Sequence, residues 1–191
     1  MNQYLSLRRR VLKRLREELP SHLTYHGIAH TSDVLHVCNQ YIRRYNLSQE
    51  DRMMLKIGAT VHDMGFLKSP VNHEETGANM AEQMMKEMGM SQKQVDIMRG
   101  LVMSTKIPQS PKTQLEEIIC DADLDYLGRD DYPEISQRLF DELKFMGILK
   151  TPEDWKNLQI NFLKSHSFHT PFAKKNREPK KQYWLNKLLN S

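Results

Sequence analysis

The chain has 191 residues and a mass of 22.5 kDa, enough for one domain that buries about 70% of its extended surface without disulfide or metal staples. A mean hydropathy of −0.67 with no apolar run near 18 residues excludes a membrane span, and charges interrupt the apolar pairs at the amino terminus, so no secretory signal is expected. The net charge of +4 is peripheral: six Lys/Arg against two Glu in residues 1–20, and six against one Glu in residues 171–191, leave the intervening body acidic. With no aromatic stacking pattern interleaved with them, these basic ends read as solvated faces rather than a nucleic-acid surface.

The apolar residues recur at helical spacing, and no segment alternates as a strand does. Tyr4, Leu5, Leu7, Val11, Leu12, Leu15 and Leu19 form one stripe up to Pro20. After a loop through Ser21–Gly27, a second helix is predicted over about 31–45, with Val34, Leu35, Val37, Cys38, Tyr41 and Ile42 inward. Ser48 caps a third, which runs through Met54 and Val61 with Gly65 placed to end it. Further helices are predicted at about 73–88, 91–104, 113–126, 132–146, 152–164 and 176–189, with Asn72, Ser91, Thr113 and Thr151 as amino-terminal caps. The stretch 172–181 reads as an exposed basic loop leading to a last helix anchored by Tyr183, Trp184, Leu188 and Leu189. The result is an all-α bundle.

Two cysteines, Cys38 and Cys120, lie far apart with no C-x-x-C pair, which argues against a disulfide framework or a thiolate zinc site and for a reduced, cytoplasmic protein. The eight histidines carry more information. His22, His26, His30 and His36 cluster, His62-Asp63 closes an otherwise apolar helix, and His73, His166 and His169 follow. Burying a carboxylate beside an imidazole is unfavourable unless a further charge compensates both, and a divalent cation does so. His26 and His30 share a side if their segment is helical. Downstream, Cys120-Asp121-Ala122-Asp123-Leu124-Asp125 embeds more carboxylates among apolar residues. Three helices can therefore bring His30, His62, Asp63 and Asp123 to one point in a bundle core, where such folds build metal sites.

The pattern H…HD…D resembles the HD-domain superfamily of metal-dependent phosphohydrolases, over roughly residues 22–130. Within it, Tyr25-His26-Gly27-x-x-His30 is similar to the opening of the superfamily's cyclic-nucleotide phosphodiesterases, with Gly27 in place of Asn. The resemblance implies an HD-type helical bundle, here one domain over residues 1–191 with a helical extension over about 131–191. It implies His30, His62, Asp63 and Asp123 as metal ligands, and His26 and Asp63 as catalytic, His26 protonating the leaving group. Ala122-Asp123-Leu124 matches the family's last ligand, which favours Asp123, with Asp121 the fallback. Two-metal members add two more histidines. His73 resembles the first, but 102–108 offers none for the second, which implies one tightly bound ion, with His73 meeting substrate or a weak second ion.

The expected activity is hydrolysis of a phosphate ester of a nucleotide, cyclic nucleotide or other small phosphorylated metabolite by metal-activated water. The ion is one of Mn, Mg, Fe, Co, Ni or Zn. Lys68, Lys106, Arg129, His73, His166 and His169 are candidate substrate contacts, and a homodimer is a further expectation. Asp33 and Asp125 read as partners or caps behind the ligands, and His22 and His36 as ordinary histidines. The rival readings are a non-catalytic metal- and nucleotide-binding regulatory module, and an iron oxygenase of the same fold.

Overall fold

The computed structural model describes residues 2–191, which form ten α-helices and two short 3-10 turns. The described chain divides into two compact units: residues through Pro20 together with His26–Asp123, and Ser21–Tyr25 together with Leu124–Ser191. No strand occurs among the described residues, and no helix there is long and apolar enough to cross a membrane.

The first unit comprises α1 (Asn2–Glu18), α2 (Ile28–Arg44), α3 (Gln49–Val61), α4 (His73–Glu87), α5 (Gln92–Ser104) and α6 (Gln114–Asp123), with a 3-10 turn at Met64–Leu67. Its centre is α3, whose residues Met54, Leu55, Ile57 and Ala59 are fully buried, as expected of a helix apolar on nearly all sides. At Gly58 a side chain would meet Leu101 and Ile119 at 3.1 Å, so a hydrogen lets α5 and α6 approach α3 closely. On α2 the six residues expected inward are all buried.

Caps at Ser48, Ser91 and Thr151 form as expected, each accepting from the backbone N–H three residues on, and Thr113 does the same for Glu116. Asn72 does not. It adopts a left-handed conformation (φ 53°) and makes no side-chain cap bond, turning the chain sharply into α4 instead. Gly65 also plays a part other than ending α3, which stops at Val61. A Cβ at Gly65 would lie 1.8 Å from the His73 carbonyl oxygen, so its place is a backbone-to-backbone contact between the 3-10 turn and the start of α4.

The second unit holds α7 (Tyr132–Phe145), α8 (Pro152–Ser165), α9 (Pro171–Asn176) and α10 (Glu178–Leu189), with a 3-10 turn at Asp125–Gly128. Tyr126, Tyr132, Leu163, Phe168 and Trp184 centre its core, and the Trp184 indole N–H donates to the Arg129 carbonyl at 2.8 Å. The predicted loop at 172–181 is instead mostly helix, because the Thr170 hydroxyl caps α9 and Lys181 turns inward. Lys181 is buried, donates to the His166 carbonyl and pairs with Glu178 at 2.9 Å. Tyr183 and Leu189, expected as anchors, stay half-exposed; Trp184 and Leu185 hold α10.

Candidate metal centre

Four chain segments of the first unit deliver one donor each. His30 is the third residue of α2, His62 caps the end of α3 with its N–H on the Gly58 carbonyl, Asp63 follows at the bend into the 3-10 turn, and Asp123 ends α6. His30 Nε2 lies 3.0 Å from Asp123 Oδ1, 3.2 Å from His62 Nε2 and 3.3 Å from Asp63 Oδ2. His62 Nε2 lies 3.2 Å from Asp63 Oδ2 and 3.5 Å from Asp123 Oδ1. An ion about 2.1 Å from each donor spaces neighbouring donors about 3.0 Å apart at right angles and about 3.4 Å at the tetrahedral angle. The observed spacings are the edges of such a polyhedron.

The electrostatics agree. His62 Nδ1 lies 3.2 Å from the Ala59 carbonyl oxygen, which can only accept, so Nδ1 carries the hydrogen and Nε2 of the neutral ring presents its lone pair to the cluster. His62 is fully buried, and Asp63 Oδ2 is buried with no hydrogen-bond partner. Acceptors converging on one point away from water repel one another unless a cation or protons sit among them. Without an ion, protons serve: burial by itself would push His30 down, but the Asp123 and Asp63 carboxylates outweigh it and lift the ring from 6.5 to about 9. His62 is raised well above its ordinary value on the same balance, with the Asp63 charge the largest opposing influence. Burial would raise both carboxyls, yet the two imidazoles hold Asp123 down near 2 and Asp63 well below the usual range. His30, His62 and Asp123 form a group able to hold a metal ion, and the unpartnered oxygen of Asp63 faces the same point.

Beside this cluster stands a group of three rings. Phe66 packs against both His26 and His73, each ring centroid 4.1 Å from its own, and the two imidazole centroids are 6.0 Å apart. His26 precedes α2 rather than sharing a helix with His30, yet the two rings stand edge to face at 6.1 Å. His73 Nδ1 is 3.3 Å from the Pro70 carbonyl, which places the hydrogen there and leaves Nε2 as an acceptor, 3.8 Å from Asp63 Oδ1 and 3.6 Å from Glu74 Oε1. Glu74 was not singled out from the sequence. Its signal is a carboxylate directly after His73 in the first turn of α4, and the structure buries it to 8% exposure.

Asp121 is fully buried two residues before Asp123, and the converging group forms with Asp123. Lys68 and Lys106 are exposed in the first unit. Arg129, His166 and His169 belong to the second unit. There Arg129 grips Asp131 with two bonds of 2.9 Å, and His166 packs between Phe162 and Phe168. Asp125 is met within that unit by Arg177 at 2.7 Å and Arg129 at 3.6 Å. At 102–108, where a second histidine is missing, the Ser104 and Thr105 hydroxyls donate to the Leu101 and Val102 carbonyls of their own helix. His36 is exposed and His22 stacks on Phe145.

A family model described as HD domain matches residues 27–125, more than half of the chain, and contains all four converging donors. No curated protein and no solved structure matches the chain.

Proposed function

The chain belongs to the HD-domain family, and on that premise we propose that it is a metal-dependent phosphohydrolase cleaving a phosphate ester of a nucleotide, cyclic nucleotide or other small phosphorylated metabolite. The observation that carries this reading is the convergence of two imidazole nitrogens, 3.2 Å apart, each within 3.5 Å of a carboxylate oxygen of both Asp63 and Asp123, the Asp63 oxygen left without a hydrogen bond. His30, His62, Asp63 and Asp123 would hold one divalent ion. When bound, such an ion supplies positive charge for a phosphoryl oxygen and a water whose pKa falls from 15.7 to as low as about 7.

The chain's own residues divide the remaining work. Asp63 offers Oδ2 to the cluster and turns Oδ1 toward His73, so this carboxylate and the acceptor Nε2 of His73 together orient an attacking water. The water oxygen forms the new bond to phosphorus while the bond to the leaving oxygen breaks. His26, whose ring also packs on Phe66, gives that oxygen a proton, a role contributing about 10²–10⁴-fold. The two imidazole centroids lie 6.0 Å apart, which leaves room for donor and acceptor to serve different oxygens. Ser104 and Thr105 spend their hydroxyls inside α5, which supports a single ion rather than the paired irons of an oxygenase.

Elemental analysis of the purified protein, run beside a phosphate-release and cyclic-nucleotide panel, tests the reading. Asp63→Ala is expected to lose the bound metal and at least about 10³-fold in turnover while keeping its helicity. Full metal content with unchanged turnover in that variant overturns it.

A further inference from the structure

We propose that a cavity on the opposite face of α2 from the metal cluster is a second anion site, which takes a small phosphate-bearing molecule. The cavity has a volume of about 400 Å³, within the range of small-ligand pockets, and is lined by residues of α1, α2 and α3. On α2 the residues Ser32, Leu35, His36 and Asn39 form one stripe at i, i+3, i+4 and i+7, while His30 lies about 160° around the helix from Ser32. The two sites therefore use separate faces of one helix.

The lining is cationic. Arg8 of α1 and Lys56 of α3 both line the cavity together with His36, and no carboxylate lines it among the described residues. Along α1, Arg10 pairs with Glu87, Lys13 with Glu17 and Arg14 with Glu18. Arg8 has no carboxylate partner among the described residues, and its Nε is buried without a hydrogen bond. A guanidinium and an ammonium held in one concavity, neither answered by a carboxylate, repel each other and leave donors unused. A phosphate group relieves both, because guanidinium binds it through paired N–H donors and ammonium as a point charge. The Ser32 hydroxyl adds a neutral donor at the rim. The size admits a phosphorylated metabolite of about mononucleotide dimensions and is too confined for a nucleic-acid strand.

The test is isothermal titration of the full chain, freed of metal, with inorganic pyrophosphate as the probe. Wild type is expected to bind one equivalent, and Asp63→Ala to bind it equally, which separates this site from the metal centre whatever becomes of the phosphohydrolase reading. The double variant Arg8→Gln/Lys56→Gln is expected to bind at least about tenfold more weakly, since each charge-assisted contact contributes more than a neutral one. Lys56→Gln alone, on a helix whose fold does not depend on that ammonium, carries the same test should the double variant lose its circular dichroism. Arg10→Gln/Lys13→Gln removes equal charge from α1 without touching the cavity and is expected to leave binding within about twofold. The proposal fails if wild type does not bind pyrophosphate, if the cavity variants bind as wild type does, if the control pair weakens binding equally, or if citrate binds more tightly than pyrophosphate.

Discussion

Two buried carboxylate centres in this chain are compensated in opposite ways. In the second unit Asp125, 1% exposed, is met by the Arg177 guanidinium at 2.7 Å and the Arg129 guanidinium at 3.6 Å, both permanently charged. In the first unit Asp63 and Asp123 are met by histidines, chiefly His30 and His62, whose charge comes and goes with pH. A carboxylate that a protein wants neutralised once and for all is given arginine. One that faces imidazoles is arranged for a partner that arrives from outside.

The largest expected effect concerns how the first centre is kept in shape. Gly65→Ala puts a methyl group onto the His73 carbonyl, so the 3-10 turn carrying Phe66 has to part from α4. The expected loss is about 3 kcal/mol or more, together with displacement of His73 from Asp63. Urea unfolding measures the first, and a fall in turnover exceeding the fall in metal content shows the second. A variant as stable as wild type would mean that the turn does not rest on α4.

Arg177→Met sharpens the comparison from the other side. It leaves Asp125 buried with the more distant Arg129 alone, and a destabilisation of about 3 kcal/mol is expected. Asp63→Asn in metal-free protein removes a charge whose imidazole partners come and go with pH, so its destabilisation is expected near pH 6 and is expected to shrink as pH rises through about 9, whereas that of Arg177→Met persists. Denaturation midpoints for the two variants across that range decide the matter. If both destabilise alike throughout it, the two centres are the same kind of structural ion pair and the contrast is broken.

These differences were only partly legible in the sequence. The all-helical fold was, because apolar residues recur at helical spacing and Ser48, Ser91 and Thr151 stand where caps form. The convergence of His30, His62, Asp63 and Asp123 was legible because carboxylates next to imidazoles in apolar helices need compensation wherever they occur. What surrounds them was not. Phe66 packing on both His26 and His73 joins residues far apart in the chain, and no periodicity encodes a ring stack. Glu74 looks like any acid at a helix start until burial singles it out. The run 172–181 has the composition of a solvated loop; only the inward turn of Lys181, which needs the His166 carbonyl in place, reveals the helix. Asn72 reads as a cap by residue type, and its left-handed backbone is invisible without coordinates.

The smallest expected effect is also the one most diagnostic of the first centre. His30 is raised from 6.5 to about 9 in the folded, metal-free protein, so the stability this gives is fully present below 6.5 and lost as pH climbs through about 9. Asp123 is lowered from 3.8 to about 2, so its share is present above 3.8 and lost as pH falls through about 2. The metal-free protein is therefore expected to unfold at its highest temperature between about pH 4 and 6.5 and at progressively lower temperature from there to pH 9. A metal ion reverses the slope. It requires the neutral rings, so protons compete with it, and the rise in unfolding temperature on adding Mn²⁺ or Zn²⁺ is expected to grow over the interval in which the metal-free protein weakens. Thermal melts at half-unit pH steps, with and without metal, distinguish the cases, and a metal-free curve flat from pH 6.5 to 9 would show that the imidazoles do not carry the charge the cluster needs.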